Sequence, residues 1–273
     1  MKINWSLRRM PRTAVTVLVT AVLLACAAAV SAAEKGPDDS WRFAIIPYLY
    51  LPNFNGSMNL ETSPGNESGS VDTGPANYLE NLKSVLMLDL QAQKGRWSFL
   101  ADVIYLDFSD EDQTAQFPTG GGIETDTGLQ ALVFELAGAY SVFRNDNLDF
   151  NLLAGARYAG IESEAALDRT AALPIGVSSR NFSDEAIFVD PIVGFRGTFE
   201  LGKKWHVPYY FDIGGFTVDS DLTLQAFGGI GYRFCDWFTM VLGYRYLYYD
   251  FGDSGLLKDL GIYGTMLGFS FTF

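Results

Sequence analysis

The chain has 273 residues, with 19 Lys and Arg against 32 Asp and Glu and a formal net charge of −13. The single histidine and the lack of any basic stripe exclude an ordinary nucleic-acid binder. Two cysteines, Cys26 and Cys235, flank opposite halves of the chain, and past residue 33 no apolar run reaches the roughly 20 residues that a membrane-spanning helix requires.

Lys2, Arg8, Arg9 and Arg12 precede an almost unbroken apolar run from Ala14 to Val30. Val30-Ser31-Ala32 or Ser31-Ala32-Ala33 then offers small residues for cleavage, so residues 1–33 are predicted to be a secretory signal peptide. Leu23-Leu24-Ala25-Cys26 resembles a lipobox, which would make Cys26 an acylated N-terminus. The apolar run continues past that cysteine and an ordinary cleavage site follows, which favours the signal peptide. Losing the four leader cations leaves 15 basic residues against 32 acidic ones, a net of −17, and leaves Cys235 with no partner for an internal disulfide.

Residues 34–273 alternate in polarity over ten segments, as half-exposed strands do. The first, Trp41 to Asn53, places Trp41, Phe43, Ile45, Leu49 and Leu51 on one face. The second, Ser84 to Lys94, opposes Leu86, Leu88 and Leu90 to Asp89, Gln91 and Gln93. Between them, Gly56 to Gly74 reads as a mobile Gly/Ser/Asn-rich loop, and Pro75 to Lys83 as a short helix with Pro in its first turn. The third segment, Arg96 to Ser109, carries Trp97, Phe99, Val103 and Tyr105 outward. The fourth, Gly128 to Phe143, carries Leu132, Phe134, Leu136 and Tyr140 outward, with Gln130 and Glu135 expected inward. The fifth, Leu148 to Glu162, and sixth, Ala186 to Leu201, point Asn151, Arg157, Asp190, Arg196 and Glu200 inward. The seventh, Trp205 to Val218, points His206, Tyr210 and Asp212 inward, and the eighth, Leu222 to Phe234, does so with Thr223, Gln225 and Arg233. The ninth, Trp237 to Asp250, has Arg245 inward. The tenth runs to the end of the chain, with Tyr263, Leu267, Phe269, Phe271 and Phe273 on one parity and Gly264, Gly268 and Ser270 on the other.

A strand that stops on an aromatic residue, preceded by strands with one apolar and one polar face, predicts an all-β fold: an antiparallel up-and-down transmembrane β-barrel of about 10 strands, with 8 or 12 as alternatives. An even number puts both ends on one side, expected to be periplasmic. The connections at Gly95, Arg144, Gly202 and Cys235 are short and flanked by Lys94, Arg96, Lys203 and Lys204. Those at Phe54–Lys83, Asp110–Thr127 and Ser163–Glu185 are long and, on the whole, acidic. Trp41, Trp97, Tyr140, Trp205 and Trp237 lie near strand ends, as an aromatic girdle does.

Particular phrases carry a resemblance. They are Ile46-Pro47-Tyr48-Leu49-Tyr50, Ala154-Gly155-Ala156-Arg157-Tyr158, Asp190-Pro191-Ile192-Val193-Gly194, Asp212-Ile213-Gly214-Gly215-Phe216 and Gly243-Tyr244-Arg245-Tyr246. With the strand pattern, they resemble the small outer-membrane barrels of Gram-negative bacteria, including the outer-membrane protein A and W types and a further set of barrel proteins sharing such phrases. The resemblance implies the fold and carries no activity with it.

Three groups of residues are candidates for function. The first is the inward charged set. Glu135, Arg157, Asp190, Arg196, Asp212, Arg233 and Arg245 are expected to line the lumen, with Asp89, Asp102 and Glu200 beside them. So few strands leave little free lumen, so these charges either pair as a plug or line a narrow, gated polar conduit. The second is Ser109-Asp110-Glu111-Asp112 in an acidic loop. It reads as a solvated surface, with a shared divalent cation as the sharper alternative. The third is His206. Hydrolytic outer-membrane barrels use His with Ser or Asp near the extracellular rim, whereas His206 lies beside the turn at Gly202 and reads as a girdle or turn residue. No catalytic residue, metal ligand or cofactor is therefore expected. The expected role is a narrow channel for small solutes or ions; the alternative is a structural or surface-binding barrel whose acidic loops contact lipopolysaccharide, cations or a partner. Expected partners are outer-membrane lipid and lipopolysaccharide, and the barrel assembly machinery through the terminal strand.

Overall fold

The computed structural model describes residues 40–62, 65–75, 82–117, 121–170, 180–252 and 257–273. In chain order the strands are β1 (Arg42–Thr62), β2 (Gly65–Thr73), β3 (Leu82–Lys94), β4 (Trp97–Phe117), β5 (Gly121–Arg144) and β6 (Leu148–Thr170). They continue as β7 (Arg180–Glu200), β8 (Trp205–Gly215), β9 (Leu222–Cys235), β10 (Phe238–Asp250) and β11 (Leu257–Thr272). Each strand from β3 onward pairs antiparallel with the next, β1 pairs with β3, and β11 returns to pair with β1. Ten strands therefore close a ring, as expected, and β2 is an extra arm paired to β1 over Phe54–Thr62. The seam reaches the last residue: the Phe43 N–H donates to the Phe273 carbonyl at 2.9 Å and the Phe273 N–H to the Phe43 carbonyl at 3.0 Å. A closed ladder has no free edge, which is the condition for a sheet surrounded by lipid.

The faces are inverted relative to a water-soluble protein. Leu136, Leu152 and Leu242 stand on the outside, 54%, 52% and 56% exposed, while Arg157 and Asp212 on the inside are 1% and 0% exposed. Aromatic rings gather at the end of the ring that carries the short turns, where Trp97 meets Tyr140 with centroids 4.9 Å apart and Trp205 meets Tyr232 at 4.8 Å. Such a belt suits rings whose apolar bodies meet hydrocarbon and whose edges meet water. The short turns have local causes. Gly95 has φ +58°, and the Asn145 side chain accepts the Asn147 and Leu148 N–H groups at 2.9 and 2.7 Å.

Several expected boundaries are corrected. β4 to β7 run 21, 24, 23 and 21 residues, well past the expected ends at Ser109, Gly128, Glu162 and Ala186. Within the expected loops, residues 110–117, 121–127, 163–170 and 180–185 are thus continuations of the ladder. Alternation of polarity reports which face is buried, and it fades where polar residues occupy successive positions; the backbone ladder extends regardless, because each rung adds its own hydrogen bonds. Likewise the stretch Gly56–Gly74, expected as a mobile loop, is strand over residues 56–62 of β1 and Gly65–Thr73 of β2. Leu82 and Lys83 of the expected helix belong to β3, and its residues 76–81 lie outside the described residues. So do residues 1–33 and Cys26. Gln130, expected inward beside Glu135, is exposed, since it shares the parity of Leu132 and Phe134.

Two apolar clusters fill the interior toward the end with the long hairpins, called here the hairpin end. One is built on Tyr48, Tyr50, Met87, Ile104 and Leu106, the other on Ala159, Leu247 and Tyr249, and Val133 and Ile262 pack against both. A third is built on Leu100, Ala137, Ala139, Leu153 and Ile192, from β4 to β7.

Candidate functional site

Alternation and register place a belt of charges across the middle of the barrel. Asp89, Asp102, Glu135, Arg157 and Asp190 are successive register partners on β3, β4, β5, β6 and β7. All sit on inward positions, so a period-two pattern in five adjacent strands produces one interior row. Asp212 of β8, Thr223 and Gln225 of β9 and Arg245 of β10 meet this row from the other side of the ring.

Two guanidinium groups are its hubs. Arg157 donates from Nε and Nη2 to Glu135 Oε2 at 3.1 and 2.8 Å, from Nη1 to Thr223 Oγ1 at 2.9 Å, and from Nη2 to Asp212 Oδ2. Arg245 pairs with Asp102 Oδ2 at 2.7 Å and donates to the Tyr48 hydroxyl at 3.1 Å, and that hydroxyl donates to Asp102 Oδ1 at 2.7 Å. Gln225 joins the hubs: its Nε2 donates to Glu135 Oε2 at 3.2 Å, and its Oε1 accepts Arg245 Nη2 at 2.6 Å. Tyr210 donates to the other oxygen of Glu135. Charges taken out of water cost several kcal/mol each unless paired and hydrogen-bonded, and this network supplies both.

Close backbone approach makes the network possible. Gly194 lies opposite Asp212 in the β7–β8 ladder, and a Cβ there would stand 2.0 Å from the Phe211 carbonyl and 2.7 Å from Asp212 Cα. Only glycine leaves Asp212 room beside β7.

On the side of the short turns, here the turn end, the belt forms the roof of a cavity of about 610 Å³. Tyr48, Asp102, Glu135, Gln225 and Arg245 line its inner end, and Arg42, Asp236, Thr239 and Thr272 its mouth. In its wall Arg196 Nη2 donates to Gln91 Oε1 at 2.9 Å, and Gln91 Nε2 donates to Asp89 Oδ1 at 2.8 Å. Nearer the mouth Arg233 pairs with Glu200 at 3.1 Å. His206 faces inward over Gly231, as its parity predicts, and is 8% exposed, which sets it inside the ring and apart from the girdle. Since the Arg233–Glu200 pair is over a quarter exposed on both sides, Arg233→Gln is expected to change unfolding free energy by under about 1 kcal/mol. Urea unfolding in detergent checks this; a loss above 2 kcal/mol contradicts it.

Of the residues expected to line the lumen, Glu135, Arg196, Arg233 and Arg245 line the cavity, whereas Arg157, Asp190 and Asp212 are buried behind its wall. Asp190, the register partner of Arg157, accepts the Ser220 N–H at 3.0 Å. The neighbouring Asp219 side chain accepts the Val189 N–H at 2.8 Å. Together they dock the β8–β9 connection, where Phe216 and Thr217 hold φ +51° and +60°, onto β7 just beyond its last rung with β8. Tyr48 was not singled out from the sequence. Its signal was parity, opposite to that of Leu49. Among the described residues no group of three His, Cys, Asp or Glu is placed to hold a metal ion.

The closed ten-strand ring, with an apolar outside and a charged inside, is the architecture of an outer-membrane β-barrel. No protein-family model matches the sequence, and no curated protein matches it. Among solved structures the chain is similar to the outer-membrane protease OmpT from Escherichia coli, at 12% identity and TM-score 0.51, over 89% of this chain and 100% of that one. It is also similar to the translocator domain of the autotransporter NalP from Neisseria meningitidis, at 14% identity and TM-score 0.40, over 97% and 99% of the two chains. A third is the attachment invasion locus protein Ail of Yersinia pestis, at 11% identity and TM-score 0.36, over 85% and 98%. At these identities the likeness concerns the fold alone.

Proposed function

We propose that the protein is an outer-membrane barrel that acts as a gated conduit for small polar solutes or ions, with its turn end in the periplasm and its interior closed in the resting state. The observation that carries this reading is the cavity that enters from the turn end and stops at the belt of paired charges. Past that belt lie the apolar clusters, which bar hydrated solutes until side chains move. Arg157, Arg196 and Arg245 face Asp89, Asp102, Glu135, Asp190 and Asp212, three cations against five carboxylates, so an open state would favour cations. A hydrolytic role has less support, because the chain's single histidine faces the turn-end cavity, beside Glu200 and Arg233 and away from an outer-leaflet substrate.

A planar-bilayer recording tests the reading. The refolded mature chain, verified by heat-modifiable migration, is expected to give infrequent unitary steps with cation preference. Arg245→Ser, which leaves the Asp102 carboxylate without its guanidinium, is expected to change step size or open time at least twofold. Folded protein that stays electrically silent in both forms would overturn it.

A second reading has an observation of its own. β4 to β7 span 21 to 24 residues, about twice the nine to eleven a tilted transmembrane strand needs, so this part of the wall rises beyond the membrane as a surface for lipopolysaccharide, cations or a partner. Deleting residues 110–126 should abolish such binding and leave the conductance steps intact. Loss of the steps on that deletion would count against a separate surface role.

A further inference from the structure

The wall of the turn-end cavity holds an arrangement that the belt does not use. Asp89 and Arg196 carry opposite charges, yet they do not touch. Gln91 stands between them, taking Arg196 Nη2 on its oxygen at 2.9 Å and giving its amide hydrogen to Asp89 Oδ1 at 2.8 Å. A direct ion pair would neutralise both groups locally. One interposed amide instead keeps a carboxylate and a guanidinium apart, each with capacity left over. Arg196 is partly exposed and lines the cavity, and among the described residues its only side-chain partner is Gln91. Among the described residues Asp89 accepts only the Gln91 hydrogen bond, whereas its register partner Asp102 is satisfied by Arg245 and Tyr48.

We infer that Asp89 and Arg196 form a binding site for a small zwitterion, a molecule carrying an ammonium and a carboxylate a few bonds apart, such as a free amino acid or a dipeptide. Asp89 takes the ammonium. Arg196, which lines the same cavity, takes a carboxylate oxygen on its guanidinium, with charge assistance on both contacts. Both groups line the same cavity of about 610 Å³, within the range of small-ligand pockets and roomy enough for such a molecule. Tyr210 and Phe227 in the same lining offer apolar surface to a side chain. The arrangement discriminates by charge separation: a simple anion meets the nearby Asp89, a simple cation meets the nearby Arg196, and only a dipolar ligand satisfies both at once. The inference deepens the conduit reading by naming its solute class and rests on that reading only for the route the solute takes.

The test is binding, read in detergent and independent of conduction. Isothermal titration of the refolded chain with L-alanine is expected to saturate, with propanoate and ethylammonium at least tenfold weaker. Arg196→Gln should lower alanine affinity at least tenfold and leave ethylammonium unchanged, and Asp89→Asn should lower alanine and ethylammonium affinity together. Propanoate or ethylammonium binding as tightly as alanine to the wild-type chain would overturn the inference without any variant, and so would a wild-type chain that takes up no alanine. A silent bilayer with alanine bound would count against the conduit alone; a conducting barrel that ignores alanine would count against this site alone.

Discussion

Arg157→Met is expected to lower the unfolding free energy of the barrel by about 3–5 kcal/mol, the usual cost of leaving a buried ion pair with one member. The side chain removed is fully buried and holds three others. Without it Glu135, 3% exposed, keeps Tyr210 and Gln225, but Asp212, at 0%, loses its ion pair. Its other oxygen already has no partner among the described residues. Combining Arg157→Met with Glu135→Gln and Asp212→Asn removes the charges together, and most of the lost stability should return, because the net worth of a buried network is small once no charge is stranded. Urea titration followed by heat-modifiable migration reads all of these. If Arg157→Met unfolds within 1 kcal/mol of wild type, the belt is not the paired network described above.

Gly194→Val is expected to cost a comparable amount, roughly 3 kcal/mol or more, since the misfit is with backbone and cannot be relieved by a rotamer change. A Cβ at this position would stand 2.0 Å from the Phe211 carbonyl and 2.8 Å from Asp212 Cβ, so β7 and β8 must separate where the network needs them closest. Gly228, where an added Cβ meets nothing within 4 Å, is the control: Gly228→Ala should migrate as wild type does. A folded Gly194→Val chain with wild-type urea response would contradict the close packing of β7 on β8.

These two residues also show what could be read from the chain alone. Arg157 stood out because a charged residue in a run of Phe150, Leu152, Ala154 and Tyr158 must lie on the opposite parity, and in a barrel the opposite parity is the interior. The same reasoning placed Glu135, Asp190, Asp212 and Arg245 inward. Parity does not say which residues meet across the ring. Arg157 faces Asp190 in register but bonds Glu135 and Asp212, because the stagger of tilted strands brings groups together that no pairing rule within one hairpin foresees. Gly194 was legible only as part of a phrase, since its necessity comes from the neighbouring strand. Strand lengths were underestimated where polar residues occupy both faces: beyond Ser109 the side chains stop reporting burial while the ladder continues to Phe117. The β2 arm was missed for a related reason, since Gly, Ser and Asn read as loop when no apolar face marks them as strand. His206 lies inside, as its parity with Tyr210 and Asp212 predicts.

We propose a cavity that is open at the turn end and closed above the charged belt. Thiol accessibility tests it most directly, using Cys235→Ser as the background so that the described chain carries no other thiol. Ser270→Cys lies in the cavity lining and Val133→Cys among the apolar clusters beyond the belt. In proteoliposomes of known orientation, a membrane-impermeant maleimide supplied on the turn side should modify Ser270→Cys within minutes. It should leave Val133→Cys unmodified from either side. Equal, rapid labelling of both positions would mean an open pore, and protection of Ser270→Cys would mean no cavity; either result contradicts a barrel closed at its charged belt.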